Sequence, residues 1–174
     1  NMITVSDNES FNELVRLQTT SGVFKDGAEA VNAFLAESQF ADTSVQHTLS
    51  PSASKDAGLG GRNTTSVKDC GELLSRIYKG ECVSKEASEA MLNLLLNQQV
   101  TTKIPSGISA SVEIANKTGE TDTDQHDIAI VYGEKTTYIL CVMSENCKSG
   151  DAVSHIRDIS GIVYNYLNMR LDQD

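Results

Sequence analysis

Over the first forty residues the apolar positions recur with a helical period. Phe11, Leu14 and Val15 are spaced by three and four, with Gln18 closing the stretch, and predict a helix from about Asn8 to Gln18. Ser6 followed three residues later by Glu9 reads as a capping box at its start. A second helix is predicted to begin with Asp26 as cap and Glu29 three residues on, with Ala30, Val31, Phe34 and Leu35 on one face. Residues 41–66 then lose all periodicity and are rich in Ser, Thr and Gly. A loop that long inside a compact domain is functional or disordered. Its Gly-Leu-Gly-Gly fits no phosphate-cradling pattern and reads as turns.

Two more helices follow. Ser66 caps a segment striped by Cys70, Leu73, Leu74 and Ile77, which Gly80 stops. The next begins at Ser84 and carries Met91, Leu94 and Leu95, a stripe that reads as core. The period then changes. ASVEI alternates, with Ala110, Val112 and Ile114 on one face, while DIAIVY and TYILCVM are apolar runs joined by GEKT as a hairpin. A last helix from about Asp151 places Ile156, Ile159, Val163 and Tyr166 on one face to cover the sheet. The order is α+β: a helical part over about 6–100, antiparallel strands over about 108–145, and a C-terminal helix packed on the sheet. TYILCVM is apolar on both faces and wants a neighbour on each side, yet one neighbour is evident. Either the first sheet strands are missing from the N-terminal side or a second chain supplies them, as in a homodimer through the unpaired edge.

Composition narrows the class. The chain has 174 residues, 39% of them hydrophobic, and no Trp, which fits one domain (1–174) or two small lobes with a real core. The net charge of -10, with no basic cluster, argues against a nucleic-acid partner. No apolar run approaches the roughly twenty residues that span a bilayer. Asn1 ahead of Met2 reads as an addition, and polar chain soon after Met2 predicts no export signal here. The four cysteines form no C-x-x-C, and no His stands at ligand spacing, so neither metal nor cofactor is expected. A Cys70–Cys82 disulfide is one possibility if the protein is exported, Cys141 reads as a buried small residue, and the pairing with Cys147 stays open among three connectivities.

The chemistry gathers at two tripeptides. Ser6-Asp7-Asn8 opens the first helix, and Lys117-Thr118-Gly119 follows the alternating strand. Either alone is weak. In this order they resemble two of the three signature motifs of the penicillin-recognising serine enzymes. VNAFL, TTSVKDCGELLSRIYKGECVS, KIPSGI, NKTGE, DIAIVYGEKTTYILCVMS and ISGIVYNYL resemble the corresponding segments of class A β-lactamases, so the resemblance covers essentially the whole chain. It implies a β-lactamase/transpeptidase-like fold and an acyl-serine mechanism on a β-lactam or a D-Ala-D-Ala peptide. Ser6 would relay a proton to the β-lactam nitrogen, Asn8 would bind the substrate's side-chain amide, and Asp7 would hold the turn. Lys117 would support Ser6 and attract the substrate carboxylate, Thr118 would donate to that carboxylate, and Gly119 would let the backbone approach closely. The strand after Gly119 would lend N–H groups to the oxyanion hole. The family also places such proteins outside the cytoplasmic membrane.

Three departures qualify this. The family's Ser-x-x-Lys nucleophile precedes Ser-Asp-Asn, and this chain begins too close to Ser6 to hold it, which implies an N-terminally truncated catalytic domain, inactive alone. Ser52-Ala53-Ser54-Lys55 follows Ser-Asp-Asn instead and reads as a chance match. The loop acid is missing too: residues 41–66 hold Asp42 and Asp56 but no Glu, so an intact parent would acylate and stall as penicillin-binding proteins do. Glu120 stands where class A enzymes usually carry Ser or Thr, and either opposes the substrate carboxylate or turns away. His47, His126 and His155 read as structural or solvated. The alternatives are a non-catalytic β-lactam or cell-wall-peptide binding module, a self-assembling module, or part of a penicillin-binding DD-peptidase.

Overall fold

The computed structural model describes residues 1–52, 57–109 and 111–169. They form two compact units, Asn1–Asp69 and Cys70–Asp174. The first is built on α1 (Asn8–Arg16) and α2 (Phe24–Glu37), whose core is Val15, Phe24 and Ala28 with Phe11, Val45 and Leu59 packed on it. Leu14, placed on the apolar stripe by its spacing, is 44% exposed. Asn12 is buried in its place. The expected Asp26 cap is not one: α2 begins at Phe24 behind Val23, and the Asp26 carboxylate accepts from the Ser21 hydroxyl at 2.6 Å. The reason is that Phe24 enters the core and so draws the cap three residues earlier, from Asp26 to Val23.

The loop between α2 and the next helix is held by its own polar groups. Ser44 and Thr64 exchange backbone hydrogen bonds of 3.0 and 3.1 Å across its base. The buried Asp69 carboxylate accepts from the Asp42 N–H and the Thr43 hydroxyl. Asn63 accepts from the N–H groups of Gln46 and His47 and donates to the His47 carbonyl. Asn12 reaches in from α1, accepting from the Leu49 N–H at 2.7 Å and donating to its carbonyl at 3.1 Å. The Ser44–Thr64 pair closes the base of the loop, and the side chains of Asp69, Asn63 and Asn12 satisfy its backbone groups. Asn12→Ala leaves both Leu49 groups without that partner, and is expected to lower stability by about 2 kcal/mol in urea denaturation. Residues 53–56, including Lys55 of the Ser-x-x-Lys string and Asp56, lie outside the described residues.

The chain passes between the units within α3 (Val67–Lys79), where Ser66 accepts from the Asp69 N–H as an N-cap, and Gly80 takes φ +76 at the other end. In the second unit, α4 (Lys85–Leu96) starts at the cap Ser84, whose hydroxyl accepts from the Ala87 N–H. Leu74, Ile77 and Leu95 are buried, while Leu73 and Leu94 face outward, so each stripe is narrower than expected. A strap, residues 100–108, follows with a 3-10 turn at Pro105–Gly107. Then come β1 (Ile114–Glu120), β2 (Gln125–Tyr132) and β3 (Thr137–Ser144), an antiparallel sheet in the order β1-β2-β3. β1 begins at Ile114, so Lys117-Thr118-Gly119 lies inside the strand and not after it; Ala110 is outside the described residues.

α5 (Ser149–Tyr164) closes the fold. Ile156 and Tyr164 pack with Ile104, Ile108, Ala129 and Val131 in one core. The buried positions of α5 are Ala152, Ile156, Ser160 and Tyr164, a strict spacing of four. Ile159 and Tyr166 are exposed, against expectation, because the i, i+4 ridge and not the i, i+3 one meets the strap. β2 is the central strand, with Ala129, Ile130 and Val131 fully buried. Among the described residues β3 pairs with β2 alone, so the second neighbour its apolar pattern asks for is not among them.

Candidate active site

Ser6-Asp7-Asn8 sits at the start of α1. The cap is Asp7, not Ser6: Asp7 has extended backbone (φ -71, ψ 116) and its carboxylate accepts from the Ser10 N–H at 2.7 Å. Hydrogen bonds from Ser10, side chain and backbone, hold the Asp7 carboxyl below its usual range. Glu9 is therefore no capping-box partner, and its carboxylate accepts from the Ser52 N–H at 3.3 Å instead. A charged acceptor one residue nearer the helix outcompetes the Ser6 hydroxyl. Ser6 is displaced into the left-handed region at φ +55, uncommon for a residue with a Cβ. It is half-buried, and Asn8 is exposed.

Lys117-Thr118-Gly119 occupies β1 of the second unit, where Gly119 faces His126 across the pair. The ladder register decides where its backbone points. The Tyr132 N–H donates to the Glu113 carbonyl, so Lys117/Ile128 and Gly119/His126 are hydrogen-bonded pairs. The alternate residues Asn116, Thr118 and Glu120 direct their N–H and C=O groups away from β2, along the outer edge of the sheet. Lys117 is half-buried, and its Nζ donates to the Thr118 carbonyl. Burial pushes its pKa below the ordinary lysine value; Lys103 acts in the same direction, while Asp127 and Glu120 oppose it.

Beneath this strand lies a polar network that sequence reasoning missed. Asp127 is fully buried; one carboxylate oxygen accepts from the Ile104 N–H at 2.9 Å and the other from the Asn116 side-chain amide at 3.1 Å. The same Asn116 amide donates to the Val100 carbonyl at 3.2 Å. Burial pushes the Asp127 carboxyl above its ordinary range against these donors. Lys103 is 1% exposed, and its ammonium donates to the carbonyls of Gly119 and His126, both at 3.1 Å, with Glu120 Oε2 at 3.4 Å. The available signal is a charged residue at the head of each of two stretches, Lys103 of KIPSGI and Asp127 of DIAIVY.

A sequence model of the beta-lactamase enzyme family matches residues 1–167. The chain belongs to that family. No curated protein matches it. Among solved structures, this family member is similar to PBP-A (24% identity, TM-score 0.74, covering 95% of this chain and 58% of that one). It is also similar to a beta-lactamase from Sphaerobacter thermophilus (22% identity, TM-score 0.80, covering 95% and 60%). A third, a PBP-A mutant described as an acyl-enzyme complex with penicillin G, has 23% identity and a TM-score of 0.73, covering 95% and 58%. At these identities the likeness establishes the fold. The chain spans about three fifths of the length of these proteins.

Among the described residues no group of three His, Cys, Asp or Glu is set to hold a metal ion, and no helix is long and apolar enough to cross a membrane. No disulfide joins the four cysteines, each of which is half-buried. Burial pushes the Cys141 thiol up to about 11, with Cys70 and Asp127 adding to the shift. The thiolate is the reactive form, so Cys141 is expected to resist iodoacetamide at pH 8 while the folded protein is intact, as peptide mass mapping reads directly. The thiol expected to be buried is half-buried in β3, and its rapid labelling in the native protein would contradict the raised pKa.

Proposed function

We propose that this chain carries the Ser-Asp-Asn and Lys-Thr-Gly portion of a serine acyl-enzyme acting on β-lactams or D-Ala-D-Ala peptides. The observation that carries the reading is β1: a family member places Lys117 and Thr118 on an edge strand whose outer backbone groups are directed away from the sheet. An edge of this kind binds an extended acyl donor through main-chain hydrogen bonds. Lys117 attracts the substrate carboxylate and Thr118 donates to it. Gly119, with no side chain, lets the donor lie close to the strand. Ser6 relays the proton to the leaving nitrogen, Asn8 binds the substrate's amide, and Asp7 fixes the turn that carries both. No acylating serine is assigned within Asn1–Asp174, so the isolated polypeptide does not form an acyl-enzyme. With no Glu in residues 41–66 to activate water, the whole protein acylates and deacylates slowly, nearer to a penicillin-binding DD-peptidase than to an efficient β-lactamase. The reading places the protein in the cell envelope or outside the cell.

Intact mass after incubation with benzylpenicillin tests this. The Asn1–Asp174 polypeptide is expected to keep its mass, and the full-length protein to gain a long-lived penicilloyl adduct. An adduct on the shorter polypeptide that Ser52→Ala abolishes would overturn the assignment. The outer edge of β3, which pairs with no other strand among the described residues, favours a second reading, self-assembly by strand pairing between two copies, since an open apolar edge is a template for another strand. Sedimentation of a clean monomer at micromolar concentration would overturn it.

A further inference from the structure

Lys103 is a buried cation for which the acyl-transfer reading has no use. A lysine almost never becomes fully buried unless its charge is met by partners. Its three donors are spent at one place, the end of the β1–β2 ladder just beyond Lys117-Thr118-Gly119. Two go to the carbonyls of Gly119 and His126, the last hydrogen-bonded pair of named strand residues. The third meets Glu120. Strand alternation puts Glu120 with Asn116 and Thr118 on the opposite face from Lys117.

We propose that Lys103 is a positioning residue for the substrate-binding edge: it fixes the Gly119/His126 pair and holds the Glu120 carboxylate, so that the Glu120 N–H is presented to an acyl carbonyl oxygen while its carboxylate stays clear of Lys117. The inference rests on the acyl-donor reading of β1. It explains how a strand that binds an anion tolerates an acidic residue directly after Gly119. Among the described residues Lys103 alone holds the Glu120 carboxylate, which stands three residues along the strand from the anion's cation Lys117. Electrostatics agrees: Lys103 and Glu120 act on Lys117 in opposite directions, and Asp127 acts on it from β2. The other titratable groups on its face are His126 from β2 and Cys141 from β3, in the cross-strand rows Gly119/His126/Met143 and Lys117/Ile128/Cys141.

A double-mutant cycle in the full-length protein tests the inference, with Lys103→Met, Glu120→Gln and the double variant, read as the second-order rate of acylation by benzylpenicillin. Lys103→Met is expected to slow acylation about tenfold or more, the scale of one lost charge interaction. Glu120→Gln slows it by a smaller factor, because a buried cation loses its partner. The double variant acylates faster than Lys103→Met alone, and Lys103→Arg recovers most of the rate. Additive effects, or acylation by Glu120→Gln equal to or faster than the parent, would overturn the proposal; Glu120 is exposed, so that arm stands even where Lys103→Met does not fold. The Lys117 amine is titrated in parallel by carbon-13 NMR with no substrate present. Removing Lys103 is expected to raise its pKa, since a like charge is lost and Glu120 is released. A Lys117 titration unchanged in Lys103→Met counts against Lys103. A parent protein that never acylates counts against the acyl-donor reading instead.

Discussion

Asp127→Ala is expected to be the most damaging single substitution in the second unit, lowering unfolding stability by about 3–5 kcal/mol, because truncating one member of a buried charged network leaves the others uncompensated. The Ile104 N–H loses its acceptor, the Asn116 amide loses one of two, and the buried Lys103 loses a neighbouring negative charge. All three groups lie under Lys117-Thr118-Gly119, so the residual folded population should also show altered β1 amide shifts. Urea denaturation with an unchanged slope is the check. A loss below 1 kcal/mol would mean that water or a rearranged Asn116 replaces the carboxylate. Asp127→Asn adds a pH test. The folded-state pKa of Asp127 is raised, so its contribution is fully present below the unfolded value of 3.8 and is lost as pH rises through the folded value. The stability gap between parent and Asp127→Asn should therefore widen as pH falls through the folded pKa. A gap that narrows would mean that the carboxylate's donors outweigh its burial.

Gly107→Ala is expected to lower stability by about 3 kcal/mol by overpacking a contact that has no room. A Cβ there would stand 2.2 Å from the Arg157 carbonyl oxygen and 2.9 Å from Ser160 Cβ. Most of the obstruction is backbone, so no rotamer change relieves it. Across the contact, a Cβ on Gly161 would lie 2.8 Å from the Gly107 carbonyl oxygen. Ser160 and Arg157 donate to the carbonyls of Ile104 and Thr102, which pins the strap to α5 just ahead of the contact. Moving the strap disturbs Lys103 and Ile104 together, and through them Gly119 and Asp127. Gly150→Ala is the control. Its Cβ meets nothing within 4 Å and lies in the first turn of α5, so it is expected to be neutral or stabilising by up to about 1 kcal/mol. Equal effects of the two substitutions would mean that the close approach is not what sets the cost.

The local rules of the chain were legible in its sequence. The period of three and four located α1 to α5, and the change to alternation located the sheet within a few residues. Ser66 and Ser84 were readable as caps because a cap is a contact three residues long. The family was readable because its segments keep their order along the chain. Competition between neighbours was harder. Ser6 and Asp7 both suit a helix start, and only the folded backbone shows that the carboxylate takes the Ser10 N–H and leaves Ser6 at positive φ. The face of α5 was misjudged for a related reason: its sequence offers apolar residues on two ridges, and the strap selects the one carrying Ser160.

What the sequence determined by itself is therefore the set of elements, their order, the Ser-Asp-Asn and Lys-Thr-Gly tripeptides and the family. What only the tertiary structure decided is the setting of Lys117: a buried Asp127, an Asn116 bridging β2 and the strap, a Lys103 clamping Gly119, and a register that turns the Glu120 N–H to the outer edge. The physical reason is range. Periodicity and capping are fixed by residues within about four positions of one another. Lys103 meets Gly119 sixteen residues away, and Ile104 meets Asp127 twenty-three away. No pattern in a single chain encodes such meetings, because they exist only once the strap, β1 and β2 have packed.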